Sequence, residues 1–301
     1  MIRLGLCCIF REHPVKFRRT TAKFLSTLTL SEQRQHLAGI CLHNAQSLFK
    51  ALEFCRDHGI GSFRINSQIL PLKTHPEAGY EMADLPGFEK IIQTFQACGG
   101  FSREHDIRTT FHPDQFIILS SPDAGVVERS VADLEYQAEV AEWVNADVIN
   151  IHAGGVYGDK KAALGRLVKT IGTLSDPVRK RLTLENDDRS YTPEDLLPVC
   201  LETGIPLVYD VHHHRCLKDI LSTEQAALKS VETWNREPLF HISSPLNGWN
   251  LPDIRKHHDY IDIRDFPDIW RSMDITVEVE AKAKELAVLN LLNELSGRLR
   301  H

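Results

Sequence analysis

The sequence predicts an α/β protein of the (β/α)8 or TIM-barrel class, with a metal site at the C-terminal mouth of its strands. Three observations carry this. Eight short β-type runs recur along the chain, longer helical patterns lie between them, and several runs close on a histidine or a carboxylate. Alternating strands and helices are the signature of βα units and a parallel sheet. Eight such units favour a closed barrel; a doubly wound open sheet is the competitor that periodicity alone does not separate.

The strand runs are Ile2–Cys8, Gly61–Asn66, Ile107–His112, Asp147–His152, Arg181–Glu185, Pro206–Asp210, Leu239–Ser243 and Asp274–Glu280. They are short and rich in Ile, Val, Leu, Phe and Thr. Helices are predicted over Ser31–His58, Phe88–His105, Ser130–Asn145 and Ala281–Leu299, where apolar residues recur at three and four. Leu42, Ala45, Phe49 and Leu52 show the spacing, as do Val288, Leu291, Leu295 and Leu299. The connections Phe10–Leu30 and Gln68–Leu85 are long, and long loops in compact domains usually carry function. In a barrel they would stand above the C-terminal face, where active sites are built.

At 301 residues, 42% hydrophobic and 25% charged, the composition is that of a globular protein, read as one domain over 1–301. No apolar stretch approaches the roughly 20 residues of a membrane span, so a cytoplasmic protein without a membrane partner is expected. Seven scattered cysteines read as reduced core thiols, and the adjacent Cys7 and Cys8 as packing. The net charge of −6 argues mildly against nucleic acid. Carboxylates gathered around metal would explain it, and Arg11, Lys16, Arg18, Arg19 and Lys23 form a local basic run, either a solvated loop or a phosphate-contacting arm.

The chemistry is read from strand ends. His112, His152, Glu185, Asp210 and Glu280 close their runs and His241 lies within its own, while His75, His213 and His257 fall in loops on the same side. Closure of a barrel brings all of these to one mouth. Imidazole and carboxylate together suit Zn, Mn or Fe, and such a cluster activates water and clamps a phosphate. A phosphodiester is a natural substrate, although sugar isomerisation also uses metal at barrel mouths. Asp210 and His213, three apart, are expected as ligands from opposite sides of a tight loop, with His212 and His214 in supporting or surface positions. His257 is preferred over His258. Gly154-Gly155 permits close backbone approach to a phosphate or serves as a plain tight turn, and Lys160 and Lys161 read first as a solvated helix start.

These residues resemble the UV damage endonuclease family over nearly the whole chain. MIRLG opens the first strand, FRI with KTHP follows the second, and HPDQF, IHAGGVYGDK, LENDD, YDVHHH, HISSP, HHDYI and EAKAKE complete the series in order. The resemblance implies a TIM barrel with a cluster of divalent ions, commonly Mn²⁺ with Zn²⁺, Co²⁺ or Fe²⁺ as alternatives, that nicks damaged double-stranded DNA 5′ to UV photoproducts and some other lesions. It implies metal ligands His112, His152, Glu185, Asp210, His213, His241, His257 and Glu280, with His75 near the cluster and catalytic roles for His75, Glu185 and His241. Gln115 and Phe116 match the loop pair that probes the duplex and fills the space of a flipped-out lesion; core packing is the other reading for Phe116. The chain is expected to act as a monomer. A xylose isomerase-like isomerase or epimerase and an abasic-site endonuclease are the rivals.

Two departures stand out. Leu239 replaces a lysine that family members often carry two residues before the seventh-strand histidine, and Leu6 and Phe10 replace an aromatic and an asparagine of the lesion pocket. Glu278 shares strand parity with Glu280 and competes with it as ligand; the Ala-Lys-x-Lys-Glu that follows favours Glu280.

Overall fold

A computed structural model describes residues 1–297. The last two positions of the predicted final helix, including Leu299, lie outside the described residues. The eight strands are β1 Ile2–Cys7, β2 Ser62–Ile65, β3 Arg108–Phe111, β4 Val148–His152, β5 Leu182–Glu185, β6 Leu207–Asp210, β7 Leu239–Ile242 and β8 Ile275–Val279. All pair in parallel with their sequence neighbours, and β1 pairs with β8 from Ile2↔Ile275 to Leu6↔Val279, which closes the barrel. Closure decides against the open sheet.

The helices are α1 Ala22–Leu25, α2 Leu30–His58, α3 Phe88–Glu104, α4 Ala124–Val144, α5 Lys160–Ile171, α6 Asp176–Arg179, α7 Pro193–Thr203, α8 Val211–Cys216, α9 Thr223–Val231 and α10 Glu285–Leu295. Their ends have local causes. Thr29 and Glu32 form a reciprocal capping box at the start of α2, and Gly59, at φ 69, ends it in the left-handed conformation that favours glycine. Helix α4 starts six residues earlier than its apolar pattern indicates, because the Asp123 side chain accepts from Val126 N–H and caps it. Helix α10 starts four residues later than predicted, because Lys284 takes φ 54 and breaks the pattern. No described helix is long and apolar enough to cross a membrane.

Side chains alternate between the barrel interior and the helix layer, so Gly5, Ser62, Thr110, Asn150, Thr183 and Glu278 form an interior layer that is polar where barrels usually place branched apolar residues. Gly5 is part of that arrangement: a Cβ there would lie 3.1 Å from Glu278 Cγ and 3.2 Å from Ser62 Cβ. Below it, Arg108 grips Asp147 through two parallel hydrogen bonds of 3.0 and 2.8 Å and donates to Thr276 at 3.1 Å. This plugs the N-terminal end with bidentate charge-assisted bonds.

The long β1–α2 connection is tied to the last helix by one carboxylate. Buried Glu285 accepts the backbone N–H groups of Arg11, Glu12 and His13 at 2.7, 2.7 and 3.1 Å. Burial works to raise its pKa, but the three donors outweigh burial and hold it below the ordinary 4.5. A depressed carboxylate stabilises the fold above its unfolded value and loses that contribution as pH falls through its folded one. Glu285→Gln is therefore expected to cost about 1–3 kcal/mol at neutral pH, the cost of leaving charged hydrogen bonds unmade. The deficit should vanish in acid. Urea unfolding on both sides of the transition checks this, and equal deficits at both pH values would refute it.

Candidate metal centre at the barrel mouth

Strand register sets the level of the candidate ligands. His152 lies beside Glu185, Asp210 beside His241, and His241 beside Glu278. Glu185 is the hub. Fully buried, it accepts from Asn150 Nδ2, which Thr183 orients at 2.9 Å. Around it stand His112 Nε2 at 2.9 Å, His241 Nδ1 at 3.1 Å and His213 Nδ1 at 3.3 Å. Three overlapping groups result, His112–His152–Glu185, His112–His241–Glu280 and Glu185–Asp210–His213, each with donor atoms within 4.8 Å of one another.

Four buried atoms in this cluster lack a hydrogen-bond partner: His152 Nδ1, Glu185 Oε1, Asp210 Oδ2 and His241 Nδ1. Orphaned buried polar atoms are costly, and here they converge. Donors bound at about 2.0–2.2 Å to one ion stand roughly 3–3.5 Å apart, which matches these spacings. The protonation pattern agrees. Burial opposes the charged form of His241, yet Glu185 and Glu278 bring its pKa up to about 10, and Asp210 with Glu185 raises His213 against burial. The carboxylates call for positive charge between them, and the donor set fits divalent ions.

The Asp210–His213 pair reaches the cluster through a different device from a tight loop. Asp210 caps α8: its Oδ1 accepts His213 N–H at 2.7 Å, which leaves Oδ2 free, 3.4 Å from His213 Nδ1. One helical turn puts both side chains on one side. His214 is locked between Tyr209 OH at 2.8 Å and Asp219 at 2.9 Å, and His212 is buried against Trp249 and His257. His257 is half-buried, its Nδ1 3.9 Å from Glu280, whereas His258 accepts Tyr260 N–H in a turn.

Glu278 and Glu280 separate by depth. Glu280 stands at the mouth, while Glu278, one layer below, accepts from Thr110 and Arg64 and lies 3.1 Å from His241 Nε2. Arg64 also reaches Glu280 Oε1 at 2.7 Å. Burial works to raise the Glu278 pKa, but Arg64, with His241 and Thr110, outweighs it and holds it at about 2. The sequence alone does not single out Arg64 or Asn150, although Asn150 shares inward parity with His152. Leu239 lies under His241 in a dry patch with Val148, Val208 and Trp234.

Other candidates fall outside the cluster. His75 lines a separate cavity beside Pro113 and Asp114, its Nδ1 accepting Glu77 and Ala78 N–H at 3.2 Å. Gln115 and Phe116 sit exposed on the rim, and Phe116, 74% exposed, is not core. Gly154, φ 88, lies under the end of the same loop: a Cβ there would meet Ser120 Oγ at 2.6 Å, so the close approach is to protein. Lys160 is engaged by Asp195 at 2.8 Å. Leu6 is core and Phe10 packs on Phe54, so neither faces the mouth; Cys7, Cys8 and Ile9 line it instead.

Fold and site together define a (β/α)8 barrel of the type that gathers divalent metal at its strand ends. The model of the UV-endonuclease UvdE family matches residues 2–300, and the chain belongs to that family. The UV DNA damage endonuclease of Bacillus velezensis is 35% identical over 302 residues, covering 96% of this chain and 91% of the relative. The crystal structure of SacUVDE superposes with a TM-score of 0.88 at 26% identity, covering 100% of both chains. Endonuclease IV from Thermus thermophilus shares the fold, at TM-score 0.63 and 15% identity over 99% of this chain and 98% of its own. The family and its close structural neighbour do not favour the sugar isomerase or abasic-site alternatives.

Proposed function

We propose that this endonuclease is metal-dependent, prefers Mn²⁺, and nicks damaged double-stranded DNA immediately 5′ to UV photoproducts, acting as a cytoplasmic monomer. The observation that supports metal use is the gathering of three orphaned buried donor atoms, on His152, Asp210 and His241, around a fourth, Glu185 Oε1. His112, His152, Glu185, Asp210, His213, His241, His257 and Glu280 are assigned as ligands. Ions held there would supply charge to neutralise the phosphate and to polarise the attacking water.

The chain's own residues do the rest. Glu185, pinned by Asn150 and facing three imidazoles, holds the cluster together. His112 donates from Nδ1 to Pro113 carbonyl at 3.1 Å, which leaves its Nε2 lone pair to the site. His75, with Nδ1 occupied as an acceptor, presents Nε2–H as a donor to the strand. Gln115 and Phe116 replace the pairing and stacking that the duplex loses when the lesion leaves the stack.

A duplex with one defined thymine photoproduct, assayed with Mn²⁺ and with EDTA beside undamaged and abasic duplexes, tests this. A metal-dependent nick just 5′ to the photoproduct is expected. Cutting only at the abasic site, or none with metal loaded, would overturn the assignment. In the same assay Phe116→Ala should retain its metal and lose about 10-fold or more in incision, the equivalent of 1–3 kcal/mol of stacking. Unchanged incision would remove Phe116 from the probe.

A further inference from the structure

Beside the cluster lies a cavity of about 330 Å³ whose metal side is formed by Glu280 and His257 and whose rim carries Cys8, Arg19, Lys282 and Lys284. Arg19, Arg64, Lys282 and Lys284 outnumber the carboxylates Asp114 and Glu280 around this cavity, although the protein as a whole is acidic, at −6. Two residues on it hold positive φ, Cys8 at 64° and Lys284 at 54°. Lys284, with ψ −122°, occupies the first central position of a type II′-like turn closed by Leu286 N–H to Ala283 carbonyl at 3.1 Å. That position is dominated by glycine.

The turn is fixed from both sides. Lys282 and Ala283 N–H groups donate to the His258 and Asp259 carbonyls, and Glu285 holds the Arg11–His13 backbone. Arg64 in the cavity wall pairs with Glu280, and Arg11 nearby with Asp259, whereas among the described residues Lys284 has no ion pair. Non-glycine residues forced into such backbone persist chiefly at functional sites. An unpaired ammonium placed at the mouth of a nuclease meets one chemical class of partner well, a phosphate, for which lysine acts as a point charge.

We propose that Lys284 is a positioning residue that seats a DNA backbone phosphate next to the metal centre, held over the cavity by its strained turn. The inference rests on the endonuclease reading above, and its test separates the two. Binding of undamaged duplex is measured in EDTA as a function of salt, with thermal stability and, separately, incision constants in Mn²⁺, for the full chain and for Lys284→Gly, Lys284→Gln and Lys284→Arg. One lost phosphate contact should lower the slope of log affinity against log salt by about 0.9. Lys284→Gly and Lys284→Gln are expected to show that drop and a KM for lesion DNA roughly tenfold higher, while Lys284→Arg keeps the wild-type slope.

Lys284→Gly should also be at least as stable as wild type, because glycine fits the turn. A structural lysine would behave in the opposite way. Unchanged slope and KM in the glycine and glutamine variants, or a glycine variant that melts lower, would overturn the proposal. Wild-type protein that binds DNA with a normal salt slope but cuts no lesion would sink the endonuclease reading instead.

Discussion

Glu185→Gln is expected to release the metal and to lower incision about 1,000-fold or more. The reasoning starts from the atoms. Glu185 Oε2 is satisfied by Asn150 and faces His112, so an amide can keep that half of the contact. Oε1 is the orphan, 3.1 Å from His241 Nδ1 and 3.3 Å from His213 Nδ1. An NH2 group there turns an acceptor towards cations into a donor towards them, with almost no change of volume. Two of the three overlapping ligand groups include this carboxylate, so its loss reaches most of the cluster. Lewis-acid stabilisation is worth several kcal/mol, and about 4 kcal/mol corresponds to a factor of ~1,000. Metal analysis of the purified variant, with incision at saturating Mn²⁺, checks the result. A variant that holds its full complement of metal and still cuts would show that Glu185 is not the hub.

The order of the strands and the level of their ends were legible in the sequence because burial makes the pattern obvious. A polar residue closing an apolar run, as in VINIH or LTLE, has no other strong reason to be there. Closure itself was not legible, since a helix on the outside of a barrel and a helix on a sheet bury the same face. The inner layer was hidden for a related reason. Arg64, Thr110 and Asn150 lie within strands, where a lone polar residue reads as an interruption until the register sets Arg64 beside Thr110 and Asn150 beside Thr183. Lys284 belongs to the EAKAKE motif, but its importance lies in a backbone angle that the residue type argues against. Leu6 and Phe10 were placed by position in a motif; strand parity turns Leu6 to the helix layer, and Phe10 follows it onto Phe54.

Glu278 is expected to act through His241, and its replacement should separate the metal from the fold. If His241 Nδ1 faces the ions, Nε2 turns to Glu278 Oε2 at 3.1 Å, a carboxylate–histidine–metal arrangement in which the Arg64 guanidinium, 3.2 Å from the same nitrogen, gives way as a competing donor. Arg64 and Thr110 hold the same carboxylate, so its orientation is determined from three sides. Glu278→Gln should weaken Mn²⁺ binding about 10–100-fold, the usual loss when such a partner is removed. It should also destabilise the apo protein, by less than the roughly 3–5 kcal/mol of a fully broken buried pair, because Arg64 loses one of its two carboxylate partners and keeps Glu280. Adding Arg64→Gln removes the guanidinium that Glu278 no longer holds and should recover part of that stability. Metal affinity should stay low in the double variant, since neither amide restores the charged acceptor for His241. Chelator competition and thermal melts on the three variants decide the matter. If metal affinity returns together with stability, the Arg64–Glu278 pair serves only the fold, and the orientation of His241 must be set elsewhere.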